Sequence, residues 1–162
     1  MGAFIRRAAE TAALAGGVLL IAILLVTSTN VGAFIASRLA GLWGGSVGGL
    51  PGYEDFVRLV TGAAVLMFFP YAQLCRGHVA VDFFANFLPS GWPILLDRAW
   101  TALTIGLALF LASWMSLGMM QARADRLVTG VLGWPDWPFY LPGILSLCLW
   151  AAVAALQLRE GS

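Results

Sequence analysis

The sequence predicts an all-α integral membrane protein with four transmembrane helices and a short interfacial amphipathic helix between the second and third of them. Residues 11–37, 59–75, 99–122 and 137–158 contain no charged side chain. A helix needs roughly 20 apolar residues to cross a hydrocarbon core of about 30 Å. Because helix starts can include charged residues at the interface, we predict spans at about 11–37, 54–75, 97–121 and 137–158.

The composition supports the same class. Hydrophobic residues make up 60% of the chain and charged residues 10%, against about 45–50% and about 25% in soluble domains. Four spans leave only short connections within 162 residues. We therefore predict a single four-helix transmembrane domain over residues 1–162. The first run is longer than the apolar part of a secretory signal, roughly 7–15 residues, and is interpreted as an uncleaved anchor.

The second span is preceded by a glycine-rich loop, residues 39–52, in which Trp43 is predicted to anchor the chain at the interface. Glu54 and Asp55 then fall in the first turn of the helix, where negative charge suits the helix dipole. Arg58 lies four residues after Glu54, within pairing range. This trio indicates either a satisfied helix start or a contact with a partner subunit.

Pro70 lies inside the second apolar run. Proline has no backbone N–H and its ring disturbs the carbonyl four residues earlier, here that of Leu66. We expect a kink or a local unwinding of the helix at this point.

The segment after Cys75 is too short and too polar to span a membrane. Helical spacing over residues 79–88 places Asp82 and Asn86 on one face, and an apolar face collects Phe83, Phe84, Phe87 and Leu88. Such a pattern is typical of a short helix lying among lipid headgroups. Arg76 and His78 precede this predicted interfacial helix.

Small residues four positions apart permit close approach of helix backbones in a membrane. Such pairs are Ala12/Gly16, Ala13/Gly17, Ala102/Gly106, Ala108/Ala112 and Ala151/Ala155. Orientation is indicated only by the arginines. Five of them (Arg6, Arg7, Arg76, Arg98 and Arg159) fall on the side of the termini and four (Arg38, Arg58, Arg123 and Arg126) on the other. This difference favours cytoplasmic termini.

The absence of charge from the middle of the predicted spans limits the function. A self-sufficient ion or anion transporter usually keeps an ionisable residue inside the membrane, and Pro70 has no counterpart that would make paired broken helices. His78 is the only histidine, so bis-histidine haem ligation is excluded and metal or acid–base chemistry lacks convergent groups. The scattered arginines give no nucleic-acid surface. We predict no enzymatic activity and no catalytic, cofactor-binding or metal-binding residue in this chain.

A specific resemblance lies in the segment from Pro70 to Phe84, PYAQLCRGHVAVDFF, which is closed by Leu88-Pro89. It resembles the signature of the small membrane subunit, DctQ-type, of tripartite ATP-independent periplasmic (TRAP) transporters. The acidic helix start at Glu54 and Asp55 is also similar to that family, as are the length and the number of spans. The Gly-His-Val-x-Val-Asp core is the specific part of the match.

The resemblance implies a non-catalytic scaffold, or stator, for a large membrane subunit that carries sodium and organic anions, with a periplasmic substrate-binding protein as third component. It also implies a bacterial inner membrane location. Sodium is expected in the large subunit and no cofactor in this one; the partners are these two proteins and the lipid bilayer. The candidates for structural or partner contact are Glu54, Asp55, Arg58, Arg76, His78, Asp82, Phe83, Phe84 and Phe87.

Two other functions stay open from the sequence. One is an independent small transporter or channel that works as a homo-oligomer, for which the only polar stretch inside a span is Thr27, Ser28, Thr29 and Asn30. The other is the membrane anchor of a redox complex. The transported compound is not encoded in any feature of this chain.

Overall fold

The structure, a computed structural model, describes residues 2–75 and 92–160. The helices are α1 (Gly2–Ala40), α2 (Tyr53–Leu66), α3 (Phe69–Leu74), α4 (Trp92–Ala124) and α5 (Tyr140–Glu160), with single 3-10 turns at Gly41–Trp43 and Trp137–Phe139. Four helical segments are long and apolar enough to cross a membrane: Gly2–Trp43, Tyr53–Leu74, Ile94–Ala124 and Trp137–Arg159. The predicted all-α membrane fold with four spans is confirmed. The predicted interfacial helix at 79–88 lies outside the described residues.

The first and third helices are longer than the predicted spans. α1 begins at Gly2 and has 39 residues, which at 1.5 Å per residue gives about 58 Å. The charge-free run corresponds only to the part of the helix that matches the hydrocarbon core. Arg6, Arg7 and Glu10 continue the helix, because backbone hydrogen bonds persist where the chain leaves the apolar layer and these residues are good helix formers.

α5 is the central helix and contacts each of the other four helices. α4 packs along α5, and a buried cluster joins the two through Ala108, Ala112, Leu147, Trp150 and Ala151. α1 packs against α2, α3 and α5. The alanines keep the α4–α5 interface close, as expected where small residues rather than the hydrophobic effect drive association.

Gly16 marks the closest approach of α1 to the rest of the bundle. A Cβ atom at this position would lie 3.0 Å from the carbonyl oxygen of Ala64 and 3.1 Å from the Cβ of Met67. At the neighbouring Gly17 a Cβ would meet nothing within 4 Å. Gly16, which belongs to the predicted small-residue pair Ala12/Gly16, therefore lies at a helix crossing.

The loop between α1 and α2 returns alongside α1. Asn30, which is buried, accepts a hydrogen bond at its Oδ1 from the backbone N–H of Leu50, 2.9 Å away. The backbone N–H of Val47 donates to the Ser37 hydroxyl. Within the predicted polar stretch, Asn30 therefore binds the loop. Its neighbour Thr29 donates to the carbonyl of Leu25 in its own helix.

Candidate functional site

The start of α2 and residues 125–136, the loop between α4 and α5, form a polar rim at one end of the bundle. Gly52 has a left-handed backbone with φ of 77° directly before Tyr53. A Cβ at Gly52 would lie 2.7 Å from the Leu132 side chain. Glycine is therefore required twice here, by its backbone conformation and by the contact with the loop.

Asp55 fastens the loop to α2. Its Oδ2 accepts hydrogen bonds from the backbone N–H groups of Val131, at 2.8 Å, and Leu132, at 3.1 Å. A carboxylate that accepts two backbone N–H groups makes charge-assisted hydrogen bonds, which are stronger than neutral ones. The acidic residue predicted to stabilise a helix start thus also binds a segment 76 residues further along the chain.

The loop has its own hydrogen-bonded frame. Val128 and Pro135 form an antiparallel bridge, and the N–H of Thr129 donates to the carbonyl of Trp134 at 2.9 Å. The N–H of Trp134 in turn donates to the Thr129 hydroxyl at 3.0 Å. These bonds turn the chain back and present the N–H groups of the loop tip to Asp55.

Arg58 pairs with the loop rather than with its own helix. A guanidinium nitrogen lies 3.5 Å from Oδ2 of Asp136, whereas Glu54 accepts a hydrogen bond from the Tyr53 hydroxyl at 3.2 Å. Within the part of the chain that the structure describes, the expected Glu54–Arg58 pair does not form. Arg58 pairs with Asp136 rather than Glu54 because the Asp136 side chain is only 17% exposed, and water screens a charge pair less in such a position.

Aromatic rings surround the rim. Trp134 stacks on Phe139 with nearly parallel rings and centroids 6.1 Å apart. The Arg123 guanidinium lies 5.1 Å from the ring centre of Trp137, within range of a cation–π interaction. Tryptophans with one apolar and one polar edge are enriched at the membrane interface, so this end of the bundle lies at headgroup depth.

A second polar site lies inside the bundle, at the break between α2 and α3. The two helices are separated by residues 67–68, as the position of Pro70 predicts. Because residue 70 is a proline, the carbonyl of Leu66 has no N–H donor one turn later. The Ser146 hydroxyl of α5 donates to this oxygen at 2.7 Å.

A side-chain network joins α3 to α5 further along. The Gln73 amide nitrogen donates to Oε1 of Gln157 at 2.8 Å, and the Gln157 amide nitrogen donates to the backbone carbonyl of Gln73 at 2.8 Å. The indole N–H of Trp150 donates to Oε1 of Gln73 at 3.2 Å. Phe69 packs edge-on against the Trp150 ring, with centroids 5.0 Å apart. We call Gln73, Trp150 and Gln157 the amide cluster.

Comparison with protein families identifies a match that covers most of the chain. Residues 46–162 match the sequence model of the DctQ component of tripartite ATP-independent periplasmic transporters. The chain belongs to the DctQ family. It is therefore a membrane component of a TRAP transporter, as the signature after Pro70 predicted. No curated protein and no solved structure matches the chain.

The match covers α2 to α5 of this DctQ component, and α1 precedes it. Of the predicted site residues, Asp55 and Arg58 are brought to the rim, and Glu54 lies exposed next to them. The others lie outside the described residues: Arg76, His78, Asp82, Phe83, Phe84 and Phe87. In the part of the DctQ chain covered by 2–75 and 92–160, no three His, Cys, Asp or Glu side chains come together as metal ligands would.

Ser146, Gln73 and Gln157 were missed from the sequence. A signal was present, because an amide or hydroxyl inside an apolar run must find a partner there. Pro70 also indicated a carbonyl in need of a donor. What the sequence of a DctQ component does not disclose is which helix supplies that donor, because the partner is 80 residues away.

Proposed function

We propose that this chain is the non-catalytic scaffold subunit of a sodium-coupled transporter that takes up organic anions with a large membrane subunit and a periplasmic binding protein. The observation that carries this proposal is how the interior polar groups are bonded. Ser146 and the amide cluster tie α5 to the broken helix α2–α3. Such hydrogen bonds between helices favour a rigid subunit that stays fixed while a partner subunit moves.

The distribution of charge supports the same proposal. Charged residues in the four spans lie near their ends, and the central part of each span is free of them. A site that binds sodium or a carboxylate at the midplane would need polar or charged ligands facing a cavity. We therefore propose that sodium and the organic anion bind in the large subunit, and that no cofactor binds in this one.

In this proposal the chain lies in the bacterial inner membrane with both termini cytoplasmic. Arg76, His78 and Asp82 hold the turn after α3, and Phe83, Phe84 and Phe87 embed beside it, where they contact the large subunit. Glu54, which is exposed at the rim, is the candidate for contact with a partner on the opposite side.

The test is a mild-detergent pull-down of the tagged chain from its native membrane, followed by reconstitution. We expect a large membrane protein in equal amount, and sodium-driven uptake of an organic anion by proteoliposomes only when both subunits and the binding protein are present. Recovery of a homo-oligomer, or of a haem protein, would contradict the proposal and favour the pore or the redox anchor.

A substitution gives a sharper test. Asp82→Ala should weaken assembly or transport without changing which organic anion is preferred, because the substrate site lies in the partner. Asp97→Ala, which removes an exposed acidic residue near the start of α4, is the matched control. A changed substrate preference in Asp82→Ala would place this chain at the substrate site and refute the scaffold role.

A further inference from the structure

A crevice of about 280 Å³ opens at the rim between α2, α4 and the start of α5. Arg58 and Asp136 lie at its polar end, and its apolar part includes Leu59, Gly62, Met115 and Tyr140. We propose that this rim crevice binds one aminophospholipid of the adjacent leaflet, with the phosphate on Arg58, the ammonium on Asp136 and the upper acyl chain along Gly62.

The shape of the crevice follows from the helix packing. α2 and α4 both pack on α5, and the Met115 and Leu66 side chains approach each other over Gly143, where a Cβ would lie 2.6 Å and 2.9 Å from them. Met115 also lines the crevice, so this packing bounds the crevice on the side of α4. On the side of α2, a Cβ on Gly62 would meet nothing within 4 Å, so the wall formed by α2 is open to a chain of methylene groups.

The charged groups at the mouth of the crevice have capacity for further hydrogen bonds. The Arg58 side chain is 61% exposed and its closest carboxylate oxygen is 3.5 Å away, although a guanidinium has five N–H donors. Oδ1 of Asp136 is buried, and among residues 2–75 and 92–160 no donor reaches it. The terminal torsion of a carboxylate is broad, so a partial turn of the Asp136 side chain lets Oδ1 accept a hydrogen bond from a donor at the mouth.

Charge complementarity selects the headgroup. A cation and an anion side by side match a headgroup that carries both a phosphate and a primary ammonium. A headgroup with net negative charge has the same phosphate but offers no cation to Asp136, so the repulsion between the phosphate and this carboxylate is not offset. Arginine forms bidentate bonds with phosphate, and an ammonium offers donors to a carboxylate.

The position of the crevice argues for a lipid rather than a free phosphate. Trp134 stacks beside its mouth on Phe139, and Trp137 follows Asp136 directly, so the charge pair lies at headgroup depth. The apolar part extends from there towards the hydrocarbon. A free phosphate would leave that part uncovered, whereas a lipid fills both parts at once.

The test is native mass spectrometry of the full chain in mild detergent, titrated with phosphatidylethanolamine, phosphatidylglycerol or inorganic phosphate. We expect one phosphatidylethanolamine to bind in preference to the other two. Arg58→Gln should weaken its binding about tenfold, the change expected for one lost charge-assisted hydrogen bond. Arg38→Gln, which removes an exposed charge at the end of α1, is the matched control and should bind as the parent does.

A second pair of variants tests the apolar part. Gly62→Leu fills the crevice without touching the charges and should also weaken lipid binding about tenfold, with the loss of several methylene contacts. Gly106→Leu on α4, where a Cβ likewise meets nothing within 4 Å, is its control. Equal binding by parent and Gly62→Leu, or equal binding of phosphatidylglycerol, would overturn the proposal. So would protection of residue 62 by a co-purified protein subunit, since the crevice would then be covered by protein.

Discussion

The Ser146 hydroxyl donates to the carbonyl oxygen of Leu66 at 2.7 Å, from α5 to the last residue of α2. In hydrocarbon no water can take over a freed backbone group, and each unsatisfied group costs several kcal/mol. A proline inside a span is tolerated where a neighbouring helix supplies the missing donor. The serine on α5 thus satisfies the carbonyl that the break at residues 67–68 leaves without a backbone donor.

Ser146→Ala should destabilise the bundle by about 1 kcal/mol, the range measured for single hydrogen bonds between membrane helices. This is less than the full cost of an unsatisfied group, because such groups also find partners in the unfolded state within the membrane. The hydroxyl is lost and the Leu66 carbonyl remains buried without a donor. The measurement is unfolding in mixed detergent, monitored by circular dichroism. Ser113→Ala is the control, because the Ser113 hydroxyl is exposed and donates within its own helix, to the carbonyl of Phe110.

The same bond can be tested from the other side. Pro70→Ala restores a backbone donor one turn after Leu66, so the Ser146 hydroxyl is no longer the sole source. In that background Ser146→Ala should cost clearly less than in the parent. Equal costs in both backgrounds would show that Ser146 stabilises the bundle by packing and not by satisfying this carbonyl.

The amide cluster predicts an asymmetry between single and double variants. Gln73→Leu removes the donor to Oε1 of Gln157 and the acceptor of the Trp150 indole N–H, and a buried polar group left unsatisfied costs about 1–3 kcal/mol. The double variant Gln73→Leu/Gln157→Leu removes both amides together. We expect it to be less destabilised than the sum of the two single variants by at least about 0.5 kcal/mol, as contacting residues usually are. Additive losses in the same unfolding assay would mean that the two amides act independently.

The sequence predicted those features of the fold that depend on neighbouring residues in the chain. Four charge-free runs indicated four spans, and Pro70 indicated the break in the second one. α1 begins at Gly2, nine residues before the start of the predicted span at 11–37, because an apolar run marks the part of a helix that matches the hydrocarbon and not the whole helix. Composition alone carries no information on where a helix frays in the headgroup layer.

The candidate site was less predictable, because its partners are distant in the chain. Arg58 was expected to pair with Glu54 one turn away but pairs with Asp136, and Asp55 binds N–H groups of residues 131 and 132. Spacing along the sequence shows which side chains one turn away can pair with Arg58. It does not show whether a loop that the fold brings close supplies a better partner. The signature after Pro70, in contrast, identified the family from the sequence alone.

The rim predicts that Asp55 controls the order of the loop between α4 and α5. Asp55→Ala removes the acceptor of the Val131 and Leu132 N–H groups, and hydrogen bonds to a charged acceptor contribute about 1.5–3 kcal/mol. Amide hydrogen exchange should accelerate over residues 127–136, and a protease should cleave there first. Glu54→Ala is the matched control, because Glu54 bonds to the neighbouring Tyr53 and not to the loop. Equal exchange in the two variants would show that the frame of the loop, from Thr129 to Trp134, suffices without α2.

The crossing of α1 predicts different outcomes for two adjacent glycines. Gly16→Leu has to displace the Ala64 carbonyl and the Met67 side chain, which lie about 3 Å from the new Cβ, and overpacking of this kind typically costs about 1–3 kcal/mol. Gly17→Leu extends into open space and also improves helix propensity, so we expect no loss. Thermal denaturation of the two purified variants in one detergent separates them. If Gly17→Leu instead destabilised the chain as much as Gly16→Leu, the face of α1 that packs on α2 would have to be assigned differently, since only one of the two residues can face Ala64.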